Sequence, residues 1–301
     1  MKKILVIYYS QSGDVASSIS SLVGPLEKSA VELTWEKIVP KTEYSYPWNL
    51  YKFFDVFPEC INEEPPEIEV PKFDPQEKFD LIILAYQIWF LAPSLPIQGF
   101  MKSPYAKVMQ DTKVITLIGC RNMWHSGSEA MKRMIAAVGG IHIDNVVVTH
   151  QGAPVLTFIT TPRMLLTGKR DSALGILPPG GFRVEEIEQL AKFGHKIAAS
   201  LDLLDVPGNQ SLLCDLNPVE VNEKYIIPES IGRLLYGFWA KLCRSFGQQG
   251  DWTRIPIICL FALILVFAIP LVLFFSTIVR ILFKPWVKPR LETYTQILKS
   301  T

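Results

Sequence analysis

The chain has 301 residues, a formal net charge of +1 and 20% charged residues, which excludes both a strongly basic nucleic-acid binder and a polar disordered chain. The five cysteines form no CxxC pair and the four histidines lack ligand spacing, so we expect neither a metal site nor a disulfide framework. Hydrophobic residues make up 49% of the chain, and its mean hydropathy of +0.23 is high for a soluble enzyme. We therefore expect no nucleic-acid partner and look for a membrane segment.

The amino terminus begins with Met-Lys-Lys and a short apolar run over residues 4–7. A secretory signal peptide has a longer apolar core, followed by a cleavage site of small residues. Here the polar segment that starts at Ser10 interrupts the run after one strand's length. The sequence therefore predicts a cytoplasmic amino-terminal domain with reduced cysteines.

Residues 2–200 alternate strand-like and helix-like runs, a pattern typical of a parallel α/β sheet. The strand-like runs are short and apolar throughout, as expected for strands that helices cover on both faces. They lie at 3–8, 31–38, 80–85, 113–119 and 141–148, and the helix-like runs lie at 15–27, 97–110, 126–138 and 184–204. Five strands in this rhythm predict a flavodoxin-like, doubly wound parallel sheet over residues 1–205, with its ligand at the carboxyl ends of the strands.

Two segments are longer than the connections that a minimal domain of this kind needs. Residues 40–75 hold many aromatic side chains among prolines, and residues 149–181 are rich in proline and glycine. Long insertions of this composition usually cover something. The sequence leaves open whether they pad the edge of the sheet or form a lid over a substrate.

The carboxyl-terminal part contains residues 255–279, which carry no charge and are bounded by Arg254 and Arg280. This stretch is long enough to span a bilayer as a helix. Basic residues flank it on both sides and Pro270 lies inside it, so a single crossing and a re-entrant helix both stay open. We predict a membrane-attached protein whose residues 280–301 form a basic tail.

Residues 206–254 are predicted to form a helical or interfacial linker between the α/β domain and the apolar segment. Within it, residues 229–246 carry apolar side chains at helical spacing, accompanied by Arg233, Lys241 and Arg244. This pattern fits an interfacial helix and equally a helix packed against the main domain.

The first predicted strand leads directly into Ser10-Gln11-Ser12-Gly13-Asp14-Val15, and a predicted helix follows. A strand-to-helix turn of this kind directs backbone N–H groups and the helix dipole toward an anion. Ser10 and Ser12 add hydroxyl donors, and Gly13 allows a close approach of the backbone. The turn is neither a Walker loop nor a GxGxxG turn. It indicates a phosphate site at the first strand's end.

This turn resembles the FMN-phosphate loop of flavodoxins, whose pattern is Thr/Ser-x-Thr/Ser-Gly-x-Thr/Ser, and the match covers Ser10, Ser12 and Gly13. Val15 lacks the last hydroxyl group of the pattern, and Asp14 adds a negative charge. The resemblance implies that the six residues from Ser10 to Val15, Gln11 included, bind the phosphate of FMN.

The loop after the third predicted strand, residues 86–96, resembles the ring-flanking loop of the quinone-reductase branch of this family. In that branch an aromatic residue precedes a stretch of small residues and proline. The resemblance implies that Tyr86, Gln87, Trp89 and Phe90 border the isoalloxazine ring.

The loop after the fourth predicted strand, residues 119–127, corresponds to the one that contacts the polar edge of the flavin in flavodoxin-like reductases. The resemblance implies flavin contacts from Gly119, Cys120, Arg121 and Asn122, with Arg121 stabilising negative charge on the reduced ring. His125 is the candidate general acid or base, because it is the histidine at the predicted active end. Capping of the following helix is its alternative role, and Cys120 is expected to be a small buried residue. Candidate catalytic residues are His125, Arg121 and Tyr86.

Residues 55–59, 87–94 and 118–124, together with the apolar carboxyl terminus, are similar to flavodoxin-like proteins of dialkylresorcinol and flexirubin-type pigment pathways. These are often labelled dialkylresorcinol condensing enzymes. The resemblance extends over nearly the whole chain. It implies FMN-dependent aromatisation of a lipophilic dialkylcyclohexane-1,3-dione to a dialkylresorcinol, with a ketosynthase-like partner catalysing the condensation.

Two other functions stay open on sequence. One is an NAD(P)H:quinone reductase or an electron-transfer flavodoxin. The other is a degenerate flavodoxin scaffold that binds no cofactor and recruits biosynthetic partners to the membrane. Whether the chain forms a homo-oligomer also stays open.

Overall fold

A parallel β-sheet lies at the centre of the computed structural model, which describes residues 1–153, 155–173 and 175–299. Its strands are β1 (Lys2–Tyr8), β2 (Val31–Lys37), β3 (Leu81–Trp89), β4 (Ala92–Pro93), β5 (Lys113–Cys120) and β6 (Ile141–Thr149). The spatial order is β2-β1-β3-β5-β6, and the two-residue β4 pairs antiparallel with the end of β3. This is the strand order of flavodoxin-like folds, in which ligands bind at the carboxyl ends of the strands flanking the point of reversal. The predicted fold class is confirmed.

The helices cover both faces of the sheet and continue beyond it. They are α1 (Asp14–Val23), α2 (Leu50–Asp55), α3 (Phe57–Asn62), α4 (Leu95–Lys102), α5 (His125–Ala137), α6 (Thr157–Thr167), α7 (Val184–Glu188), α8 (Ala191–Ala199), α9 (Glu223–Ser245), α10 (Ile255–Leu282) and α11 (Lys284–Lys299). The insertion at 40–75 thus contains α2 and α3, and the insertion at 149–181 contains α6.

The side chains of β1 alternate between two apolar cores, one on each face of the sheet. Leu5 and Ile7 contribute to one core, whereas Ile4 and Val6 contribute to the other. The central strands are therefore buried on both sides, which explains why their sequences are apolar throughout rather than alternating.

The domain boundary predicted at residue 205 is not a boundary of the packed core. Leu212 and Leu213 are buried in the core that contains Ile4, and Val219 is buried in the core that contains Leu5. The carboxylate of Asp144 at the sheet also accepts a hydrogen bond from the Leu212 N–H at 2.7 Å. Residues 212–219 thus contribute to both cores of the α/β domain.

Helix α9 packs against the domain and leaves its outer face exposed. It contacts α3, α5 and α10, while Leu234 and Phe238 point away from the protein. Packing against the main domain is thus observed for one face of α9, and its interfacial role stays a prediction that rests on the exposed apolar side chains of the other face.

Helix α10 begins at a buried cluster of charges. Arg254, immediately before it, is inaccessible to solvent and donates from Nε to Asp55 and from Nη1 to Glu59, both at 2.7 Å. About two turns further on, the ring of Phe261 stacks on that of Phe57 with centroids 4.0 Å apart. The segment Trp252–Leu282 is long and apolar enough to cross a membrane. Only 11% of an apolar 18-residue stretch within it is buried inside the protein.

Helix α11 contains most of the residues predicted to be a basic tail, and it returns to the α/β domain. Leu298 is 1% exposed and belongs to the core that contains Leu5. Tyr294 lies beside the ring of His125, with ring centroids 6.4 Å apart. The carboxyl-terminal half of α11 is therefore packed against the α/β domain.

Candidate functional site

A cavity of about 180 Å³ lies at the carboxyl ends of β1, β3 and β5, where this fold places ligands. The structure brings to it most of the residues that the sequence analysis assigned to the cofactor. Those that line it are Gln11, Ser12, Asp14, Val15, Gln87, Trp89, Phe90, Gly119, Cys120 and Arg121. The lining does not include the candidates Ser10, Gly13, Tyr86, Asn122 and His125.

The turn after β1 forms a cradle of backbone N–H groups at one end of the cavity. Ser10 lies beneath the turn, where its Oγ accepts a hydrogen bond from the Ala16 N–H at 3.1 Å. Within the described part of the chain, the N–H groups of residues 11–15 donate to no other group. Gly13 has φ 94°, and a Cβ there would meet nothing within 4 Å. Free N–H groups at a helix amino terminus, with open space before them, suit an anion.

Asp14 places a carboxylate beside this cradle, and the structure shows how its charge is compensated. Its Oδ2 accepts a hydrogen bond from Ser12 Oγ at 3.0 Å, and its Oδ1 pairs with Arg170 Nη1 at 2.5 Å. Arg170 also donates from Nη2 to the carbonyl oxygen of Ser12 at 2.8 Å. An arginine of the second insertion thus neutralises the charge that departs from the flavodoxin pattern.

The first insertion supplies an aromatic wall at the other end of the cavity. The ring of Trp89, at the end of β3, lies edge-on to Tyr44 and Trp48, with centroid distances of 5.2 and 5.4 Å. Trp48 Nε1 donates to Gln11 Oε1 at 3.0 Å, and Gln11 Nε2 donates to the Ser45 carbonyl at 3.0 Å. Gln11 of the anion cradle therefore holds the aromatic insertion in place.

The second insertion covers the cavity from the opposite side. The Arg121 guanidinium lies 3.6 Å from the ring centroid of Phe158, and its Nη1 donates to Thr157 Oγ1 at 3.3 Å. Burial lowers the pKa of Arg121. The two insertions also contact each other, because the backbone N–H of Trp48 donates to the Leu165 carbonyl at 2.8 Å. Both insertions thus cover the cavity, an arrangement that suits a lid.

His150 lines the cavity and was missed by the sequence analysis. It follows β6 directly, its Nδ1 lies 2.9 Å from Thr161 Oγ1, and its ring lies edge-on to Phe182. Burial lowers its pKa to about 4, so the imidazole is neutral at physiological pH. Its position after a parallel strand is the signal that could have identified it, because all such positions face the same edge of the sheet.

His125 does not reach the cavity, which corrects its assignment as the general acid or base. It is buried at the start of α5, where burial lowers its pKa to about 4, and its Nδ1 has no partner within the described chain. Its side chain does not cap the helix either. That role belongs to Glu229 of α9, whose Oε1 accepts a hydrogen bond from the Ser126 N–H at 2.6 Å.

Tyr86 and Asn122 are also not among the residues that line the cavity. Tyr86 is part of β3, and alternation along the strand directs its fully buried side chain into the core. Trp89, at the end of β3, and Phe90, in the turn after it, line the cavity at its aromatic wall instead. The Asn122 side chain points toward Thr157 Oγ1 at 3.5 Å.

Neither a nucleophilic cysteine at position 120 nor a metal centre is supported by the described residues. The Cys120 thiol is buried, and burial raises its pKa far above neutrality, so it is held as a protonated thiol. Within residues 1–153, 155–173 and 175–299, no group of three His, Cys, Asp or Glu side chains could hold a metal ion.

Comparisons with known proteins give fold-level similarity at low identity. No protein-family profile matches the chain, and no curated protein matches it. Among solved structures, a flavoprotein from Lactobacillus acidophilus NCFM in complex with FMN is 20% identical, with 49% of this chain and 93% of that one covered and a TM-score of 0.40. A flavodoxin from the domain Archaea is 11% identical (66% and 99% covered, TM-score 0.37), and oxidised flavodoxin 1 from Bacillus cereus is 13% identical (64% and 94%, 0.36). The fold assignment rests on the strand order of this chain itself.

Proposed function

We propose that this protein is a membrane-attached, FMN-dependent oxidoreductase that acts on a lipophilic ring compound at the cytoplasmic membrane surface. One observation carries the proposal. A single cavity joins the free N–H cradle after β1 to the aromatic wall at the end of β3. FMN has a phosphate at one end and a planar aromatic ring at the other, so its two ends match the two ends of the cavity.

The chemical types of the residues that line the cavity match those that FMN needs, but the cavity is too small to hold FMN without a movement of the protein. Gln87 and Arg121 supply polar groups next to the aromatic wall, as the polar edge of a flavin needs. The cavity of about 180 Å³ is nevertheless smaller than the roughly 300–1,000 Å³ of ordinary ligand pockets. Binding therefore requires the cavity to widen, which breaks contacts between the two insertions such as the hydrogen bond from the Trp48 backbone N–H to the Leu165 carbonyl.

Bound FMN would supply the acceptor for two electrons and the accompanying proton. Arg121 places a positive charge beside the ring site, which favours negative charge on a reduced ring. His150 is neutral, and in the tautomer whose Nδ1–H donates to Thr161 Oγ1 its Nε2 is the atom that can take a proton from the substrate.

The surroundings of the cavity favour a substrate with alkyl chains. Phe53 and Phe90 line the cavity, and the Phe90 ring lies 5.3 Å from that of Phe57. Phe57 in turn stacks on Phe261 of the apolar helix α10. A continuous cluster of packed aromatic rings thus connects the cavity wall to the apolar helix α10.

The resemblance found in the sequence narrows the reaction to the oxidation of a dialkylcyclohexane-1,3-dione to a dialkylresorcinol. The ring would lose two electrons and two protons in this step and become aromatic, and bound FMN would supply the electron acceptor. The preceding carbon–carbon bond formation belongs to a ketosynthase-like partner enzyme. A dione of this kind is already acidic, so modest base assistance from His150 is sufficient.

The test begins with the absorption spectrum of the full-length protein purified in detergent, with and without added FMN. Anaerobic mixing then separates the alternatives: reduction of bound flavin by a dialkyl-dione with release of the resorcinol supports the proposal, and rapid reduction by NADPH alone supports a quinone reductase. A protein that takes up no FMN is a scaffold without cofactor, an alternative favoured by Asp14 at the cradle and by the small cavity.

A further inference from the structure

The apolar helix α10 and the following α11 form a hairpin whose two ends both contact the α/β domain. At one end, Arg254 is buried against Asp55 and Glu59. At the other end, Leu298 is buried in the core that contains Val219. With 28 and 16 residues, the two helices are about 42 and 24 Å long.

This return is incompatible with a single membrane crossing by α10. If α10 crossed, α11 would emerge on the opposite surface, separated from the domain by a hydrocarbon layer about 30 Å thick. Leu298 could then not pack in the domain's core. Helix α11 cannot cross back by itself, since it is 16 residues long and carries charges such as Lys288, Arg290 and Glu292.

The exposed surface of the hairpin nevertheless calls for an apolar environment. Along α10, side chains such as Val266, Phe267 and Phe274 lie open to the surroundings. Trp252 and Trp286, which flank the helix, are 78% and 77% exposed. Tryptophan next to an apolar helix is typical of the boundary between lipid headgroups and acyl chains.

Charge indicates that lipid covers this surface rather than a second copy of the chain. Lys284, Lys288 and Arg290 are exposed next to Trp286. Two such basic segments facing each other would repel, whereas a leaflet with anionic headgroups would attract them. The exposed Leu234 and Phe238 of α9 add to the apolar surface.

We propose that the protein is monotopic: α10 lies within one leaflet, and α11 and the α/β domain lie on that same side of the membrane. The partner is thus a single lipid leaflet, which the protein enters without reaching the opposite surface. This inference rests on the membrane attachment in the proposed function, so the experiment has a separate readout for attachment.

The native cysteines permit a sidedness test. Cys214 is exposed on the α/β domain and serves as its marker, while Cys60, Cys120 and Cys243 are buried. In a Cys259→Ser background, which removes the exposed thiol of α10, Gln296→Cys places a second thiol on the exposed side of α11. The full-length variant is reconstituted in phosphatidylcholine/phosphatidylglycerol vesicles and treated with a membrane-impermeant maleimide. Labelling in detergent defines the full extent at each site.

Flotation of the vesicles gives the first readout, and the mass of intact labelled chains gives the second. We expect flotation with the vesicles and doubly labelled chains, with equal labelling at positions 214 and 296. Chains that float but carry a label at only one of the two positions would overturn the inference and leave membrane attachment standing. Chains that do not float and form soluble dimers would overturn both, because a second copy then covers α10.

Discussion

Arg170 Nη1 lies 2.5 Å from Asp14 Oδ1, which joins the segment that covers the cavity to the first turn of α1. Asp14 is the residue that places a negative charge where an anion is expected to bind, and Arg170 lies more than 150 positions later in the sequence. The pair links two properties of the site: the charge that a phosphate meets, and the closure of the second insertion. Both can be tested on binding of FMN.

The first prediction concerns this pair. Arg170→Gln leaves the Asp14 carboxylate uncompensated beside the phosphate, so we expect FMN to bind about tenfold more weakly, equivalent to about 1.4 kcal/mol. Asp14→Asn in the same chain removes the repulsion and restores most of the loss. Flavin fluorescence titration of both variants measures the coupling between the two residues. Arg163→Gln, which breaks the exposed Arg163–Asp171 pair of the same insertion, is the control. Equal losses in the single and double variants would contradict the role given to Asp14.

The second prediction separates the two buried histidines. His150 lines the cavity and His125 does not, so His150→Asn should lower turnover of a dialkyl-dione by about 10²-fold or more. His125→Asn should leave turnover within a few-fold of the wild type. Because the pKa of His150 is about 4, loss of turnover through its protonation is expected only below about pH 5. The measurement is anaerobic flavin reduction, with bound FMN quantified in each variant. A larger loss in the His125 variant would return the proton-transfer role to that residue.

The sheet was predictable because each parallel strand is an apolar run, and the anion cradle because it directly follows the first of them. Three of the four residues assigned to the loop after β3 line the cavity, and Tyr86 does not, since β3 continues to Trp89 and the alternation along the strand sends Tyr86 into the core. His150 was overlooked although it directly follows the predicted strand β6. Arg170 could not be assigned from local pattern, because its role depends on how the second insertion folds over the sheet, and side chains distant in sequence determine that fold.

The third prediction concerns Glu229 of α9, which is 1% exposed and contacts the amino terminus of α5. Burial raises its pKa from 4.5 to about 7, so the folded protein retains a proton that the unfolded chain releases above pH 4.5. The stabilisation by the protonated form is complete below pH 4.5 and is lost as the pH rises to about 7, which amounts to about 3 kcal/mol. Glu229→Gln should remove this loss, so the variant gains stability relative to the wild type over that range. Denaturant unfolding at a series of pH values measures the difference.

The matched control for Glu229 is Glu220→Gln, at an exposed position of the same segment. The lowered pKa values of three buried histidines make the free energy of unfolding fall as the pH drops below 6.5, which is opposite to the effect of Glu229. These histidines, His125, His142 and His150, are present in all variants, so their effect cancels in the comparison. A difference between wild type and Glu229→Gln that does not change with pH would show that Glu229 is ionised in the folded protein.

The fourth prediction concerns the start of α10. Arg254→Met leaves Asp55 and Glu59 buried without their shared cation, and losing one partner of a buried pair costs about 3–5 kcal/mol. Arg244→Gln breaks the ion pair with Glu64, in which both side chains are about a third or more exposed, and should cost less than about 1 kcal/mol. Thermal unfolding in detergent compares the two variants. Similar small losses would mean that the buried cluster does not hold α10 to the domain.

The last prediction tests where the α/β domain ends. A chain that stops after Asn209 loses Leu212, Leu213 and Val219 from the two cores, together with a backbone donor to Asp144. We expect this truncated chain to lack a cooperative unfolding transition and to bind no FMN, although it contains every strand of the sheet. In the full-length protein, Leu213→Ala should cost about 2–5 kcal/mol, because it leaves a cavity in a closed core. Leu234→Ala, at an exposed position of α9, is the matched control and should change stability by less than about 0.5 kcal/mol. A truncated chain that unfolds cooperatively and binds FMN would place the boundary near residue 205, and the segment from 212 to 219 would then be an accessory to the core.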